Sequence, residues 1–274
     1  MKQVPFLAIF FILSLSHNVN SQFLNNENAV KLKKSKIIVG LTNDSTTNAW
    51  LLQAVKSSWT ISEDYETLPI KEAIKKLKAE GNITIIQLGV DVTHRTEEFN
   101  GWEIEIESRG GYIGLNTKGY DEADLMQHLS YNSRAQFVFG LSSLQDAVNT
   151  IVEENLSGMS KVREVYASRK KDLKGKTLYI CENFVSKDVT VSDIKTAYSG
   201  DVELVSIEKF ENIILNKKEN AVCLNFVTVP VGDAKRSVAY FFGCDNQQTY
   251  DIFVNGKANW VNKKTLKKMS KLYN

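Results

Sequence analysis

The sequence predicts an α/β protein made of two tandem, duplicated modules. Two apolar runs rich in β-branched residues, Ile83–Val92 and Val222–Val231, are typical of buried strands. The same order of elements, β-α-β-α-β-β-β-α, can be traced around each run. Strands joined through helices pair in parallel with right-handed crossovers. We therefore expect each module to form a mixed, mainly parallel sheet with strand order 2-1-3-4-5 and helices on its faces, and a helical bridge to join the two modules.

The beginning of the chain, residues 1–21, is expected to be a cleaved secretory signal peptide. Lys2 precedes the apolar run Val4–Leu15, and the small residues that follow suit cleavage near Ser21. The alternative is an uncleaved anchor. The protein is therefore expected to be exported, and to be periplasmic or extracellular. Its many Asn and Lys residues and its 3 Pro residues suggest a bacterial source.

The first module is assigned to residues 37–132. It follows residues 22–36, a polar, lysine-rich stretch that we interpret as a flexible leader. Residues that cap helices mark two helix ends, with Asn43–Thr47 before one helix and Gly81 after another. The predicted strands are Ile37–Leu41, Tyr65–Leu68, Ile83–Val92, Trp102–Glu107 and Tyr112–Leu115. One predicted helix follows Thr47, a second begins at Pro69, and the third is Asp121–Leu129. Polar turns are expected at Thr93–Gly101 and Arg109–Gly111.

The second module is assigned to residues 176–274 and repeats this pattern. Leu88 and Leu115 match Val227 and Val254 at one constant offset, as Lys118 matches Lys257. This favours a duplication over two generic α/β patterns. The predicted strands are Lys176–Ile180, Val202–Ile207, Val222–Val231, Ser237–Phe242 and Tyr250–Val254, and the predicted helices are Val191–Tyr198, Phe210–Leu215 and Val261–Tyr273.

The bridge, residues 133–175, has no counterpart in this repeat. Its apolar residues follow helical spacing from Phe137 to Leu156, and the spacing resumes at Met159 after Gly158. One or two long helices are therefore predicted. They either cover the faces of both sheets or form a rigid spacer with an exposed groove for a partner.

Charge gives little indication of a partner. The formal net charge is +2 with 43% hydrophobic residues, so nucleic acid is not an expected ligand. The closing helix carries five lysines beside an apolar face: Lys263, Lys264, Lys267, Lys268 and Lys271. Such a helix can lie on an anionic membrane. We favour docking of its apolar face on the module with solvated lysines, and expect no contact with a membrane surface.

Two polar loops are the best candidates for a ligand-binding surface, because each follows the first strand of its module. In open α/β sheets, ligands favour the crevice at the carboxyl ends of the strands. The candidate residues are Asn43, Asp44, Ser45, Thr46, Asn183, Ser186 and Asp188. The alternative is that these residues only cap the helices that follow them.

Motifs for catalysis, cofactors and metals are not found. The glycine-rich stretch Arg109–Gly114 lies between two predicted strands, whereas a nucleotide-binding loop lies between a strand and a helix. His94 is near Glu97 and Glu98, but the spacing matches no pattern of metal ligands. His128 lies on a predicted helix and is interpreted as structural. We expect no cofactor and no metal.

The cysteines all lie in the second module. If the hairpin turns around Asp233-Ala234, Cys223 and Cys244 face each other across two strands. In an oxidising compartment they can form a disulfide. The alternative is buried free thiols, since Cys181 and Cys223 sit in apolar strands.

These observations favour an exported envelope protein that binds a protein or a small ligand without catalysing a reaction. The first alternative is a hydrolase that uses carboxylates of the strand-end loops, such as Asp44 and Asp188. The second is a structural spacer built around the bridge.

Overall fold

The structure is a computed structural model that describes residues 25–62, 64–99, 102–117, 125–131, 133–231, 234–256, 258 and 260–273, with the backbone alone for residues 90–99, 102–111, 230–231 and 234–235. The strands are β1 (Lys36–Leu41), β2 (Tyr65–Pro69), β3 (Ile83–Phe99), β4 (Trp102–Asn116), β5 (Leu125–His128), β6 (Thr177–Cys181), β7 (Val202–Val205), β8 (Ala221–Val231), β9 (Ala234–Gly243) and β10 (Thr249–Gly256). The helices are α1 (Asn26–Lys34), α2 (Ser45–Ser58), α3 (Ile70–Glu80), α4 (Arg134–Glu153), α5 (Met159–Ser168), α6 (Val191–Ala197), α7 (Ile207–Leu215) and α8 (Lys263–Tyr273), with short 3-10 helices at Arg169–Leu173 and Glu182–Phe184. The predicted signal peptide lies outside the described residues. Among the helices described, none has the length and apolar character needed to cross a bilayer.

The fold is α/β, with two five-stranded mixed sheets flanked by helices. The first sheet has the order β2-β1-β3-β4-β5 and the second the order β7-β6-β8-β9-β10. Both orders are the predicted 2-1-3-4-5. In each sheet the first three strands in sequence pair in parallel and the last two join antiparallel.

Each module places its helices on the sheet in the same way. The two crossovers of a 2-1-3 order run in opposite directions, so right-handed connections put their helices on opposite faces. Accordingly, α2 packs with one face of the first sheet and α3 with the other. In the second sheet α6 and α7 are divided in the same manner. The helix after the fifth strand returns to the face of the first helix in both modules, as α4 beside α2 and α8 beside α6.

The two sheets share one hydrophobic core with α4 in its middle. Nearly the whole of this helix is buried, because it packs against α2 on one side and α7 on the other. On one side, the Phe137 ring lies 6.1 Å from the Trp50 ring of α2. On the other side, the Phe139 ring lies 5.3 Å from the Phe242 ring of β9. The bridge therefore covers the inner faces of both sheets rather than standing exposed between them.

The predicted flexible leader is wrong for residues 26–34, which form α1. Asn25 caps this helix by accepting a hydrogen bond from the backbone N–H of Asn28, at 2.8 Å. Ala29 and Leu32 are buried at three-residue spacing, and α1 packs against α4. Two apolar positions form too narrow a stripe to stand out in a lysine-rich segment.

Three elements of the first module also differ from the prediction. The expected turns at Thr93–Gly101 and Arg109–Gly111 lie within the continuous strands β3 and β4, apart from positions 100 and 101, which are outside the described residues. The expected helix Asp121–Leu129 is a strand where it is described, since Leu125–His128 pairs with β4. A segment of four residues is too short for periodicity to distinguish a helix from a strand, and pairing with β4 decides it.

These differences change the alignment of the two modules. Leu115 lies in β4 and pairs with Ile86, whereas Val254 lies in β10, so the match between them is wrong. Lys118 and Lys257 lie outside the described residues. The bridge is not without a counterpart either, because α4 follows β5 as α8 follows β10.

Candidate functional site

A long two-stranded arm extends from the first sheet. β3 and β4 stay paired from Val90 and Gly111 to Phe99 and Trp102, a run of ten residue pairs. The neighbouring strands stop earlier, because β1 pairs with β3 only as far as Ile86 and β5 pairs with β4 only from Tyr112 to Leu115. At about 3.3 Å per residue, the arm (residues 90–99 and 102–111) is about 30 Å long.

Both outer edges of the arm are without a strand neighbour among the described residues. The N–H and C=O groups along a free edge form a template for pairing with another chain. An isolated two-stranded hairpin is at best marginally stable in water. An arm of this length is therefore well suited to be covered by a partner.

The pairing register gives the arm two different faces. Phe99, Trp102, Ile104 and Ile106 occupy one face, together with Arg95 and Glu97. Glu98, Glu103, Glu105 and Glu107 occupy the other, together with Thr96 and His94. Glu98 and Glu103 are direct cross-strand partners, and like charges in that position destabilise a pair of strands. Toward its tip the arm thus has one mainly apolar face and one acidic face, and the acidic face suits contact with a basic surface.

The base of the arm is braced by Tyr112. A side chain at Gly89 would overlap the Tyr112 ring, so glycine is required for this close approach. The ring is buried and lies 6.2 Å from the ring of His128 on β5. Beside it, the Asn116 amide donates a hydrogen bond to Gln87 Oε1, at 3.1 Å. His128 is buried, but on a strand rather than on the predicted helix.

The predicted loop at Asn43–Thr46 serves as a helix cap. Asp44 accepts hydrogen bonds from the backbone N–H groups of Thr46 and Thr47, at 2.9 and 3.2 Å, and from the Thr47 hydroxyl at 2.9 Å. The Thr47 bonds in particular hold the pKa of Asp44 below its usual value. Asn43 and Ser45 flank the cap, with Ser45 as the first residue of α2. The carboxylate is thus used within its own helix.

The predicted loop at Asn183–Asp188 is also held locally. Asn183 lies in the short helix Glu182–Phe184, and Val185 forms a parallel bridge with Val261. The Ser186 hydroxyl donates to Asp188, and this bond lowers the pKa of that carboxyl. No hydrogen bond or ion pair between described residues joins this loop to the other one. The structure does not bring the two halves of the predicted ligand surface together.

The pairing of β3 with β4 also separates His94, Glu97 and Glu98, the residues considered above as metal ligands. His94 and Glu98 share the acidic face, while Glu97 lies on the opposite face. Among the residues whose side chains the structure describes, which do not include these three, no group of three His, Cys, Asp or Glu residues could hold a metal ion.

The two cysteines of the predicted disulfide are in contact as free thiols. Cys223 and Cys244 are buried with their sulfur atoms 3.3 Å apart, and Cys181 is free as well. Burial raises the pKa of the Cys223 thiol. The predicted register is wrong by two residues, because the strand partner of Cys223 is Phe242 and Cys244 lies just beyond β9.

Two buried polar clusters that the sequence did not reveal hold α4 against the second sheet. Gln136 of α4 and Asn225 of β8 exchange amide hydrogen bonds of 3.0 and 3.2 Å. Arg169 donates to both oxygens of Asp146, at 3.0 and 2.9 Å, and Asp146 accepts from the Thr249 backbone at 2.9 Å. Burial raises the pKa of Asp146, and Arg169 opposes this shift. These groups link the bridge to the second module and are structural.

A surface pocket of about 260 Å³ lies between α1 and the amino end of β3. Its polar lining includes Asn28, Lys31, Ser35, Asn82, Thr84 and Thr117. It is at the opposite end of the parallel strands from the predicted ligand loops. It is therefore a second place where a small ligand could bind.

Comparisons of the chain with protein-family models, with curated proteins and with solved structures gave no match.

Proposed function

We propose that this chain is an exported envelope protein that binds a protein partner through the arm of its first module and catalyses no reaction. The arm carries this proposal, since it combines two free strand edges with one apolar and one acidic face. Binding residues are commonly displayed on extensions held by a rigid scaffold. The shared core around α4 provides such a scaffold.

The two alternatives have less support. A hydrolase would need Asp44 and Asp188 in one cleft, but each is bonded within its own loop. A spacer would be favoured by an exposed apolar stripe on the bridge, but the apolar residues of α4 are buried.

We also propose that the two modules arose by duplication. They share strand order, crossover placement and a closing helix on the face of the first helix. A duplicate whose hairpin lengthened would keep its scaffold and gain a binding element.

The proposed function is tested by native mass spectrometry of the mature chain, Gln22–Asn274, purified from its own envelope under mild conditions. The matched variant replaces Val92–Arg109 with Asn-Gly, a sequence that favours a two-residue hairpin turn. We expect a co-purified protein with the full chain and none with the short-arm variant. Equal recovery of a partner by both proteins would contradict the proposal, and an added small-molecule mass would direct attention to the pocket beside α1.

Export is tested by cell fractionation and sequencing of the amino terminus. We expect the protein in the envelope fraction with a first residue near Gln22. A cytoplasmic protein that keeps Lys2 would contradict it.

A further inference from the structure

The surface around α8 is chemically complementary to the arm. Three large apolar residues are exposed in the described part of the chain, namely Val191 (36%), Val254 (41%) and Trp260 (45%). All three border α8. The Trp260 carbonyl accepts from Thr265, the Val254 carbonyl accepts from Lys268, and Val191 begins α6, which packs on α8.

The same surface is strongly basic. Lys264, Lys267 and Lys271 are exposed and recur at helical spacing, so they form one stripe along α8. Among the side chains that the structure describes, no carboxylate lies within ion-pair distance of these three lysines. The apolar residues and this stripe together are called the α8 patch.

We propose that the arm of one copy of this chain docks on the α8 patch of a second copy. The glutamates of the acidic face, Glu98, Glu103 and Glu105, lie against the lysine stripe. Phe99 and Trp102 occupy the opposite face of the arm, which this contact leaves free. Complementary charge fixes which surfaces meet and in which register.

A closed two-fold dimer makes this contact twice, because each copy offers one arm and one α8 patch. In such a dimer the two arms cross to opposite copies, and their apolar faces, with Ile104 and Ile106, can pack on one another. The unfavourable pair of Glu98 and Glu103 is then relieved by a partner of opposite charge. The inference rests on the proposed role of the arm and names its partner.

The test uses sedimentation velocity on three forms of the mature chain. One variant reverses the arm (Glu98→Lys, Glu103→Lys and Glu105→Lys), and the other reverses the helix (Lys264→Glu, Lys267→Glu and Lys271→Glu). Each variant alone places like charges at both contacts, so we expect its dimer to weaken by about 100-fold or more. An equimolar mixture restores opposite charges at both contacts, so we expect a heterodimer. The wild-type dimer should weaken as salt rises, since the Debye length falls from about 10 Å at 0.1 M to about 3 Å at 1 M.

The outcomes separate this inference from the proposed function. A wild-type chain that stays monomeric at low salt, or a mixture that does not associate, overturns the α8 patch as the docking surface. If such a chain still recovers another protein through its arm, the proposed function stands and only the second copy is excluded. Circular dichroism spectra that match the wild type show that the variants are folded.

Discussion

The two modules share one scaffold and differ in one hairpin. In the first, β3 and β4 remain paired for ten residue pairs beyond β1 and β5. In the second, β8 and β9 extend only three pairs beyond β10, from Val229 and Arg236 to Val231 and Ala234. Crossover handedness and the shared core constrain strand order, whereas hairpin length is free to vary. The difference therefore locates the specialised element in the first module.

The base of each hairpin shows the same contrast at the level of residues. Gly89 lies six residues after Ile83, where the pairing of β3 with β1 begins, and Val227 lies six residues after Ala221, where the pairing of β8 with β6 begins. Gly89 and its partner Tyr112 therefore occupy the place that Val227 and Val238 occupy in the second module. One large ring lies over a glycine in the first module, and two medium side chains face each other in the second. The arm is thus anchored by an aromatic residue where the shorter hairpin needs none.

The largest expected effect on stability comes from Arg169→Met, which tests whether the modules depend on one core. It leaves Asp146 buried without its cation, and breaking a buried pair in this way costs about 3–5 kcal/mol. Lys161→Met is the matched control, since it removes an exposed pair with Glu164 that contributes less than about 1 kcal/mol. Urea denaturation measures both. A small loss for Arg169→Met would show that the second module is stable without the bridge.

The same variant has a pH dependence with a definite sign. The pKa of Asp146 is already raised by burial above 3.8, and loss of Arg169 raises it further. The folded state then binds more protons than the unfolded state between these two values. We therefore expect the stability loss to be largest at neutral pH and to shrink as pH falls through the raised pKa. Denaturation curves recorded at several pH values check this.

The next largest effect on stability is expected from Gly89→Val, which places at the base of the arm the residue found at the equivalent position of the second module. The added side chain overlaps Tyr112, and overpacking of this kind costs about 1–3 kcal/mol. The double variant Gly89→Val with Tyr112→Val copies the second-module pair. We expect it to recover most of the lost stability, as measured by urea denaturation. No recovery would mean that the two bases are not equivalent.

The fold was predictable where local signals agree with tertiary structure. The β-branched runs located the central strands of both sheets, Gly81 marked the end of α3 with a left-handed backbone (φ 77), and all five strands of the second module were found. The arm was missed because His94–Glu98 interrupts the apolar alternation, and only its pairing with β4 makes it a strand. The strand at Leu125–His128 depends on the same kind of long-range pairing.

The candidate site was less predictable than the fold. Asp44 and Asp188 were selected as polar residues at strand ends, but such residues also cap helices and turns, and they do so here. The acidic and apolar faces of the arm require the register of both strands, which the sequence of one strand does not give. Likewise, Asp146 and Arg169 meet only because α4 and the chain after α5 pack together.

The smallest expected effect concerns the cysteines, which distinguish the second hairpin from the first. Mild oxidation should join Cys223 to Cys244, whose sulfur atoms are in contact, and leave Cys181 free. Alkylation of the unfolded protein without reductant, followed by mass spectrometry, gives the outcome. Labelling of all three thiols after oxidation would exclude the disulfide.

The most direct test of the arm as the binding element is site-specific photo-crosslinking. A benzophenone amino acid is placed at Phe99 in the arm or, as a control, at Arg236 in the shorter hairpin, and the protein is irradiated in its own envelope. We predict a crosslinked partner from position 99 and none from position 236. Equal crosslinking from both positions, or none from position 99, would contradict the account.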